Sequence, residues 1–348
     1  MNIAGLVACA TALVANGKGL LAMDESNPTC NRRFAALGIP QTVEMRRAWR
    51  ELLVTAPGLG ESISGAILSD ETIRQSDRHS RLFVDRLTDV GIIAGIKVDR
   101  GAKPLALHTG EKVTEGLDGL RERLAEYAGM GARFAKWRAV IGLDGDHPST
   151  ACIRANMQAL ARYAALCQEA GIVPIVEPEV LMEGNHSLER SRSVTGAVLS
   201  ALFEELRVQG VMLEGVILKP NTVLPGLDSP VQDSVWTVAA ATVECLLESV
   251  PPAVAGIAFL SGGQSPELAT ARLNAMNDGV INERAPWPLV FSFARALQQP
   301  ALDLWRGADA NVVAAQQALL HRARCNHAAL NGEYKAAMDA EYDYRMAS

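Results

Sequence analysis

The stretch Gly215-Val216-Ile217-Leu218-Lys219-Pro220-Asn221 ends a short apolar run on a lysine, and Pro220 then prevents the run from continuing as a helix. It is one of eight such runs. The others cover residues 19–24, 64–69, 94–99, 134–140, 173–179, 256–262 and 289–295, and the sixth in chain order is 215–220. Each is short, apolar and bounded by Gly or Pro, with no clean polar alternation. That pattern suits parallel strands covered on both faces.

Stretches of helical period lie between the runs. Ile153, Met157, Leu160, Ala164 and Cys167 form one apolar stripe, and Gly171 stops the helix. Residues 42–55, 78–90, 117–128, 188–209, 231–250, 267–276 and 311–330 also read as helices. Eight strand and helix alternations in one chain predict a single-domain (β/α)₈ TIM barrel, of class α/β. An open doubly wound sheet competes with this reading. Such a sheet usually carries a Gly-rich turn after its first strand, and Asp24-Glu25-Ser26-Asn27-Pro28 is not one. The apolar start, residues 5–14, has no Lys or Arg before Lys18, so it reads as an N-terminal helix packed on the body rather than as an export signal. The barrel with this helix is expected to span residues 1–333. A polar, flexible tail is expected over 334–348.

Composition narrows the function. The 348 residues are 49% hydrophobic but only 5% aromatic, so the core rests on Ala, Val, Leu and Ile. Net charge is −6 without a basic block, which argues against nucleic acid as a partner, although a local cationic cluster can still bind phosphate. No apolar run approaches the ~20 residues that span a bilayer. Six scattered cysteines suggest free thiols in a reducing compartment, and a cytoplasmic location is expected. The six histidines are dispersed and show no grouping with Cys that would hold a metal, so no metal and no cofactor are expected.

In a barrel of this kind the active site forms at the C-terminal ends of the strands. Those ends carry Asp24; Ser69 and Asp70; Lys97 and Asp99; Lys136 and Arg138; Glu177 and Glu179; Lys219; Ser261, Gly262 and Gly263; and Ser292 and Arg295. Lys136 and Arg138 are two apart, as are Glu177 and Glu179, so each pair points to one side of its strand. An interior lattice of salt bridges and a reaction site both fit that pattern. Burying so many charges is costly unless chemistry uses them. Leu260-Ser261-Gly262-Gly263-Gln264 leads into a helix N-terminus after the seventh run, where such barrels often hold phosphate, and Arg295 follows after the eighth. An amine attacks a carbonyl only when neutral, and desolvation or a neighbouring cation such as Lys136 favours that form at Lys219. Glu177 is then the candidate proton donor, with Glu179 beside it, and Asp24 the candidate base for carbon–carbon cleavage.

These residues, with their surroundings, resemble class I fructose-bisphosphate aldolase. The resemblance rests on residues 17–26 (GKGLLAMDES), 95–99 (GIKVD), 134–138 (FAKWR), 172–179 (IVPIVEPE), 218–221 (LKPN), 259–265 (FLSGGQS) and 291–297 (FSFARAL), in family order. Residues 26–30 (SNPTC) and 56–60 (APGLG) are most similar to the plastid and bacterial branch. The resemblance implies metal-independent, reversible cleavage of fructose 1,6-bisphosphate to dihydroxyacetone phosphate and glyceraldehyde 3-phosphate. It implies that Lys219 forms a Schiff base, that Glu177 is its acid and base, and that Asp24 acts at the C4 hydroxyl. Lys136 and Arg138 would hold the sugar and its phosphate, and Glu179 would support the lysines. Ser261, Gly262 and Arg295 would bind the phosphate of the dihydroxyacetone half, and Ser26, Thr29 and Lys97 the other phosphate. Arg33, Gly263 and Ser292 would be further substrate or phosphate contacts. A homo-oligomer, tetrameric in many members, is implied as well. The sequence leaves open sedoheptulose 1,7-bisphosphate as a substrate, a transaldolase-like Schiff-base barrel, and a non-catalytic binding protein on the same scaffold.

The chain departs from the family at three places. Arg32-Arg33 stands where many members have Lys-Arg, and Phe293-Ala294 where animal members have Tyr-Gly. Family chains often end on a tyrosine that assists proton exchange, whereas this chain ends on Ser348, with Tyr342 and Tyr344 nearby. A solvated tail and a slow proton-exchange step are the expectation, to be tested by deletion after Tyr334.

Overall fold

The computed structural model describes residues 3–340. Eight parallel strands close into a barrel: β1 (Gly19–Ala22), β2 (Ile63–Leu68), β3 (Ile93–Lys97), β4 (Phe134–Ile141), β5 (Val173–Val180), β6 (Ile217–Leu218), β7 (Gly256–Phe259) and β8 (Leu289–Phe293). They pair in chain order, and β8 returns to β1 through Leu20↔Ser292 and Leu21↔Phe293. All eight apolar runs are strands. The sixth is shorter than expected, only Ile217–Leu218, because Pro220 follows directly; Lys219 still donates its N–H to the Val176 carbonyl at 2.8 Å.

Strand alternation explains how this barrel can be both core and site. Leu20, Ala22, Ile67, Phe134, Val173, Ile175, Ile217, Ala258 and Val290 form one buried apolar cluster with the helix Ile3–Val14. That helix contributes Leu6, Ala10, Leu13 and Val14 to the same cluster, and Ser64 Oγ donates to the Leu13 carbonyl at 2.6 Å. The expected N-terminal helix therefore packs into one end of the barrel. Moving up each strand by two from those apolar positions reaches Asp24, Lys136, Glu177, Lys219 and Ser292. Gly95 makes room in the lower layer: a β-carbon there would stand 2.2 Å from the Phe134 ring.

The helices form the outer layer over a larger apolar cluster. Three are shorter than expected, the one expected at 231–250 forming only over Val235–Ser249. The segment expected at 78–90 is helical only over Phe83–Asp89, because Asp77 accepts from the N–H groups of His79 and Arg81 and shapes a turn instead. The segment expected at 117–128 begins at Leu120, after left-handed Gly119. A two-stranded hairpin, Ala102–Pro104 with Lys112–Thr114, was not anticipated; nor were the helices Asn27–Ala36 and Arg295–Trp305, which flank the site.

The beginning of the expected tail is tied down. Tyr334 Oη donates to Asp339 Oδ2 at 2.6 Å, His321 Nε2 lies 2.8 Å from Asp339 Oδ1, and Arg322 pairs with the same carboxylate. Cys325 Sγ lies 3.5 Å from His321 Nε2 and 3.5 Å from Asp339 Oδ1. This His, Cys and Asp group corrects the reading that no histidine and cysteine stand together: His321 and Cys325 are one helical turn apart. The carboxylate is already engaged by the buried guanidinium of Arg322, which repels a cation, so the cluster is a fastening for the segment that carries Asp339. Tyr342 and Tyr344 lie outside the described residues.

Candidate active site

A cavity of about 790 Å³ opens at the C-terminal ends of the strands. The fifteen residues given a role in the site line it: Asp24, Ser26, Thr29, Arg33, Lys97, Lys136, Arg138, Glu177, Glu179, Lys219, Ser261, Gly262, Gly263, Ser292 and Arg295. Ser69 and Asp70, also at a strand end, instead cap and begin the helix Asp70–Ile73.

Four of them form its charged centre. Lys136 Nζ lies 2.7 Å from Asp24 Oδ2 and 3.1 Å from Glu177 Oε2. Lys219 Nζ lies 3.2 Å from the other Glu177 oxygen, Oε1. All four side chains are buried. Burial alone raises the Asp24 carboxyl, but Lys136 and then Lys219 overcome it and lower the group to about 2. Burial likewise opposes ionisation of Glu177, and Lys136, Lys219 and Arg138 together hold it below the usual carboxylate range. Burial disfavours the Lys136 ammonium, but Asp24, Glu177 and Asp99 outweigh it and hold the group above the ordinary lysine value. The resting centre therefore contains an ammonium at Lys136 between two carboxylates. The cations around Glu177 favour its ionised form.

Glu179 engages a different cation. It pairs with Arg138, and neither lysine lies within ion-pair distance of it among the described residues. Arg138 is drawn into the cavity by that carboxylate, and its backbone N–H donates to Asp99 Oδ2 at 3.2 Å.

Two sets of residues in the lining differ in their partners. In the first, Ser26 caps the helix Asn27–Ala36, its hydroxyl 3.0 Å from Thr29 Oγ1. Arg33 Nη1 is 2.6 Å from Glu25 Oε1, and Lys97 Nζ is 2.6 Å from Asp99 Oδ1. In the second, Gly262 and Gly263 adopt positive φ (57° and 91°), so no β-carbon is tolerated cheaply there. A β-carbon on Gly263 would lie 3.0 Å from Arg295 Nη2. Arg295 has no carboxylate within 4 Å among the described residues, unlike Arg33 and Lys97, and the buried Ser292 hydroxyl has no hydrogen-bond partner there. A bare glycine turn, an unpaired guanidinium and an unsatisfied hydroxyl make this the set most ready for an anion.

Sequence reasoning missed the carboxylates that hold the cations. Glu25 bridges Arg33 and Arg50, the latter at 2.8 Å, and Gln299 Oε1 accepts from Arg33 at 3.2 Å. Asp99 was noted as a strand end but not as the partner of Lys97. Glu25 neighbours Asp24, and that adjacency was the available signal; nothing in the spacing marks Arg50, which reaches in from the helix Val43–Val54.

A parallel barrel with a buried lysine, a shared carboxylate and an anion-ready glycine turn defines the class: a carbonyl-directed enzyme of the Schiff-base barrel type. Comparison with known proteins gives the family. The family model for class-I fructose-bisphosphate aldolase matches residues 5–346. A probable class 1 fructose-bisphosphate aldolase of Xylella fastidiosa is 54% identical over 336 residues, covering 96% of this chain and all of that protein. A chloroplastic fructose-bisphosphate aldolase of Chlamydomonas reinhardtii is 48% identical over 97% of this chain and 88% of its own length. A solved fructose-bisphosphate aldolase from Plasmodium falciparum superposes with a TM-score of 0.94 at 44% identity, covering 96% of each chain. The chain belongs to the class I fructose-bisphosphate aldolases and is a lyase acting on fructose 1,6-bisphosphate; bacterial and chloroplastic relatives accord with the plastid and bacterial branch.

Proposed function

We propose that the aldol cleavage runs through an imine on Lys219, with the roles divided as the geometry of the charged centre suggests. The observation that carries this is Glu177, whose two oxygens face Lys219 and Lys136 separately. Glu177 accepts a proton from Lys219, and the freed amine adds to the C2 carbonyl of the open-chain sugar. The same carboxyl returns the proton to the carbinolamine hydroxyl, which leaves as water. A resting carboxylate suits this order, since base precedes acid. Asp24 then takes the C4 hydroxyl proton. The C3–C4 bond breaks, its electron pair enters the iminium to give an enamine, and glyceraldehyde 3-phosphate departs. Proton gain at C3 and addition of water release dihydroxyacetone phosphate and restore Lys219. Sugar oxygens that engage Lys136 loosen its hold on Asp24 and raise the basicity of that carboxylate.

Several cations and hydroxyls in one lining, Arg33, Lys97 and Arg295 with Ser26, Thr29, Ser261 and Ser292, support a bisphosphate. Ser261, Gly262, Gly263, Ser292 and Arg295 take the phosphate of the dihydroxyacetone half, and Ser26, Thr29, Arg33 and Lys97 take the other. Lys136 and Arg138 bind the sugar between them, with Glu179 orienting Arg138. This number of phosphate-binding groups favours a bisphosphate over a transaldolase-like donor, and sedoheptulose 1,7-bisphosphate fits the same groups. A homo-oligomer is supported by Leu227, Val231 and Trp236, which are exposed after β6. A reducing, cytoplasmic setting is supported by six unpaired cysteines; no helix among the described residues is long and apolar enough to cross a membrane.

Borohydride trapping with dihydroxyacetone phosphate in the presence of a chelator, followed by peptide mapping, tests the reading. A reduced adduct on Lys219 is expected. A folded protein that binds phosphate but yields no adduct refutes imine chemistry and leaves a binding protein. For the tail, deletion after Tyr334 also removes Asp339 and its fastening, so a stop after Ala340 is the cleaner test of Tyr342 and Tyr344.

A further inference from the structure

Arg272 is a buried guanidinium, 5% exposed, in the helix Pro266–Met276 that follows the glycine turn. No carboxylate lies within 4 Å of it among the described residues, although buried Arg46, Arg50 and Arg322 each have one. Its side chain runs back toward the start of its own helix, as long helical side chains do. There Nη1 donates to Gln264 Oε1 at 2.8 Å, and Gln264 Nε2 donates to the Ser261 carbonyl at 2.9 Å. Nε of Arg272 is buried without a partner.

This placement is unfavourable twice over in the unliganded protein. A charge is desolvated without a counter-ion, which is costly. The charge is also drawn toward a helix N-terminus, where the backbone dipole already presents positive potential. Desolvation correspondingly lowers Arg272 to about 10, with Asp233 opposing that only at a distance. Both penalties would be relieved by an anion held at Ser261, Gly262 and Gly263, one side chain away.

We propose that Arg272 is a positioning residue for the phosphate turn: through Gln264 it fixes the Ser261 carbonyl, and its unpaired charge favours a phosphate bound at that turn. The inference rests on the reading of that turn as the phosphate site of the dihydroxyacetone half. Arg272 touches no substrate itself. Its effect is on the affinity of that half-site and not on proton transfer at Lys219.

The test measures inorganic phosphate as a competitive inhibitor of fructose 1,6-bisphosphate cleavage, with thermal unfolding recorded with and without phosphate. In Arg272→Met the inhibition constant is expected to rise about tenfold, equivalent to ~1.4 kcal/mol, and the phosphate-induced rise in Tm to shrink. Arg272→Lys, which keeps a charge, is expected to recover most of the affinity. Gln264→Glu supplies the missing counter-ion, so it is expected to fold well and yet to lose phosphate affinity as Arg272→Met does. A lowered Tm with an unchanged inhibition constant in Arg272→Met, or normal phosphate affinity in Gln264→Glu, overturns the proposal and leaves Arg272 a packing residue. Arg295→Met separates the two readings. If it also leaves phosphate inhibition unchanged, the assignment of the turn as a phosphate site fails; if it weakens inhibition while Arg272→Met does not, only the role of Arg272 fails.

Discussion

Replacing Lys136 by methionine removes the cation between two buried carboxylates while keeping much of the apolar stem. Lys136 Nζ lies 2.7 Å from Asp24 and 3.1 Å from Glu177, and it is the strongest influence lowering both. Asp24 falls from an ordinary 3.8 to about 2, which corresponds to about 2 kcal/mol of folding free energy. A depressed carboxyl stabilises the fold fully above its unfolded value and loses that contribution as pH falls through its folded value. The contribution is therefore present above about pH 4 and fades toward about pH 2. Glu177 adds to it in the same direction. Breaking a buried pair by removing one partner costs roughly 3–5 kcal/mol. Lys136→Met is accordingly expected to be less stable by that amount at pH 7 in urea titrations. The difference from the unmodified protein should narrow by about 2 kcal/mol on acidification between about pH 4 and 2. A difference under ~1 kcal/mol at pH 7, or one that grows on acidification, would refute the view that this ammonium holds the two carboxylates ionised.

Three further substitutions separate the steps. Glu177→Gln is expected to slow imine formation by about 10²–10⁴-fold, read by rapid-quench borohydride trapping, because the proton shuttle is lost while the amide keeps the shape. Asp24→Asn is expected to retain trapping of dihydroxyacetone phosphate on Lys219 while fructose 1,6-bisphosphate cleavage drops by at least ~10²-fold; parallel loss of both would place Asp24 in imine formation instead. Gly95→Ala forces a β-carbon to within 2.2 Å of the Phe134 ring and is expected to lower stability by about 1–3 kcal/mol, seen as a reduced urea midpoint with little change in the substrate KM.

The strands and the residues at their ends were legible because both follow from one periodicity. A strand covered on both faces is apolar throughout, and its last inward residue is free to be polar. Lys219, Glu177 and Asp24 stood out for that reason. Their pairings were not legible. In the sheet register Lys136 lies beside Ile175 and Arg138 beside Glu177, yet Lys136 is the residue that reaches Glu177, and Arg138 reaches Glu179. Partners inside a closed barrel are diagonal because the strands are tilted and staggered, and that tilt is not written in any one run. Glu25 with Arg50, and Gln264 with Arg272, escaped notice for a related reason: each joins a loop residue to a helical arginine, and helical spacing alone reads such arginines as solvated. The contacts of Asp339 were not legible either, because it looks like any polar residue until His321, Arg322 and Tyr334 are brought to it.

The alternation that made the site legible also ties its chemistry to its stability. Phe134 and Lys136 project into the same barrel interior two residues apart, as do Ile175 and Glu177, and Ile217 and Lys219. The lower layer is a packed hydrocarbon plug completed by the helix Ile3–Val14, and the upper layer is a set of charges that would be unfavourable in such a place if unpaired. Close packing below fixes the heights of the strands relative to one another, and those heights decide which carboxylate meets which ammonium. A change of one methyl group at Gly95 or Gly65, where the new β-carbon meets only apolar side chains, should therefore disturb proton transfer through strand displacement before it unfolds the barrel. In Gly65→Ala the new β-carbon would lie 2.6 Å from Leu13 and 3.1 Å from Phe134, so the adjustment falls on the plug and on β4, the strand that carries Lys136. The pH dependence of cleavage should shift in that variant, while a purely structural effect would lower stability and leave the profile in place.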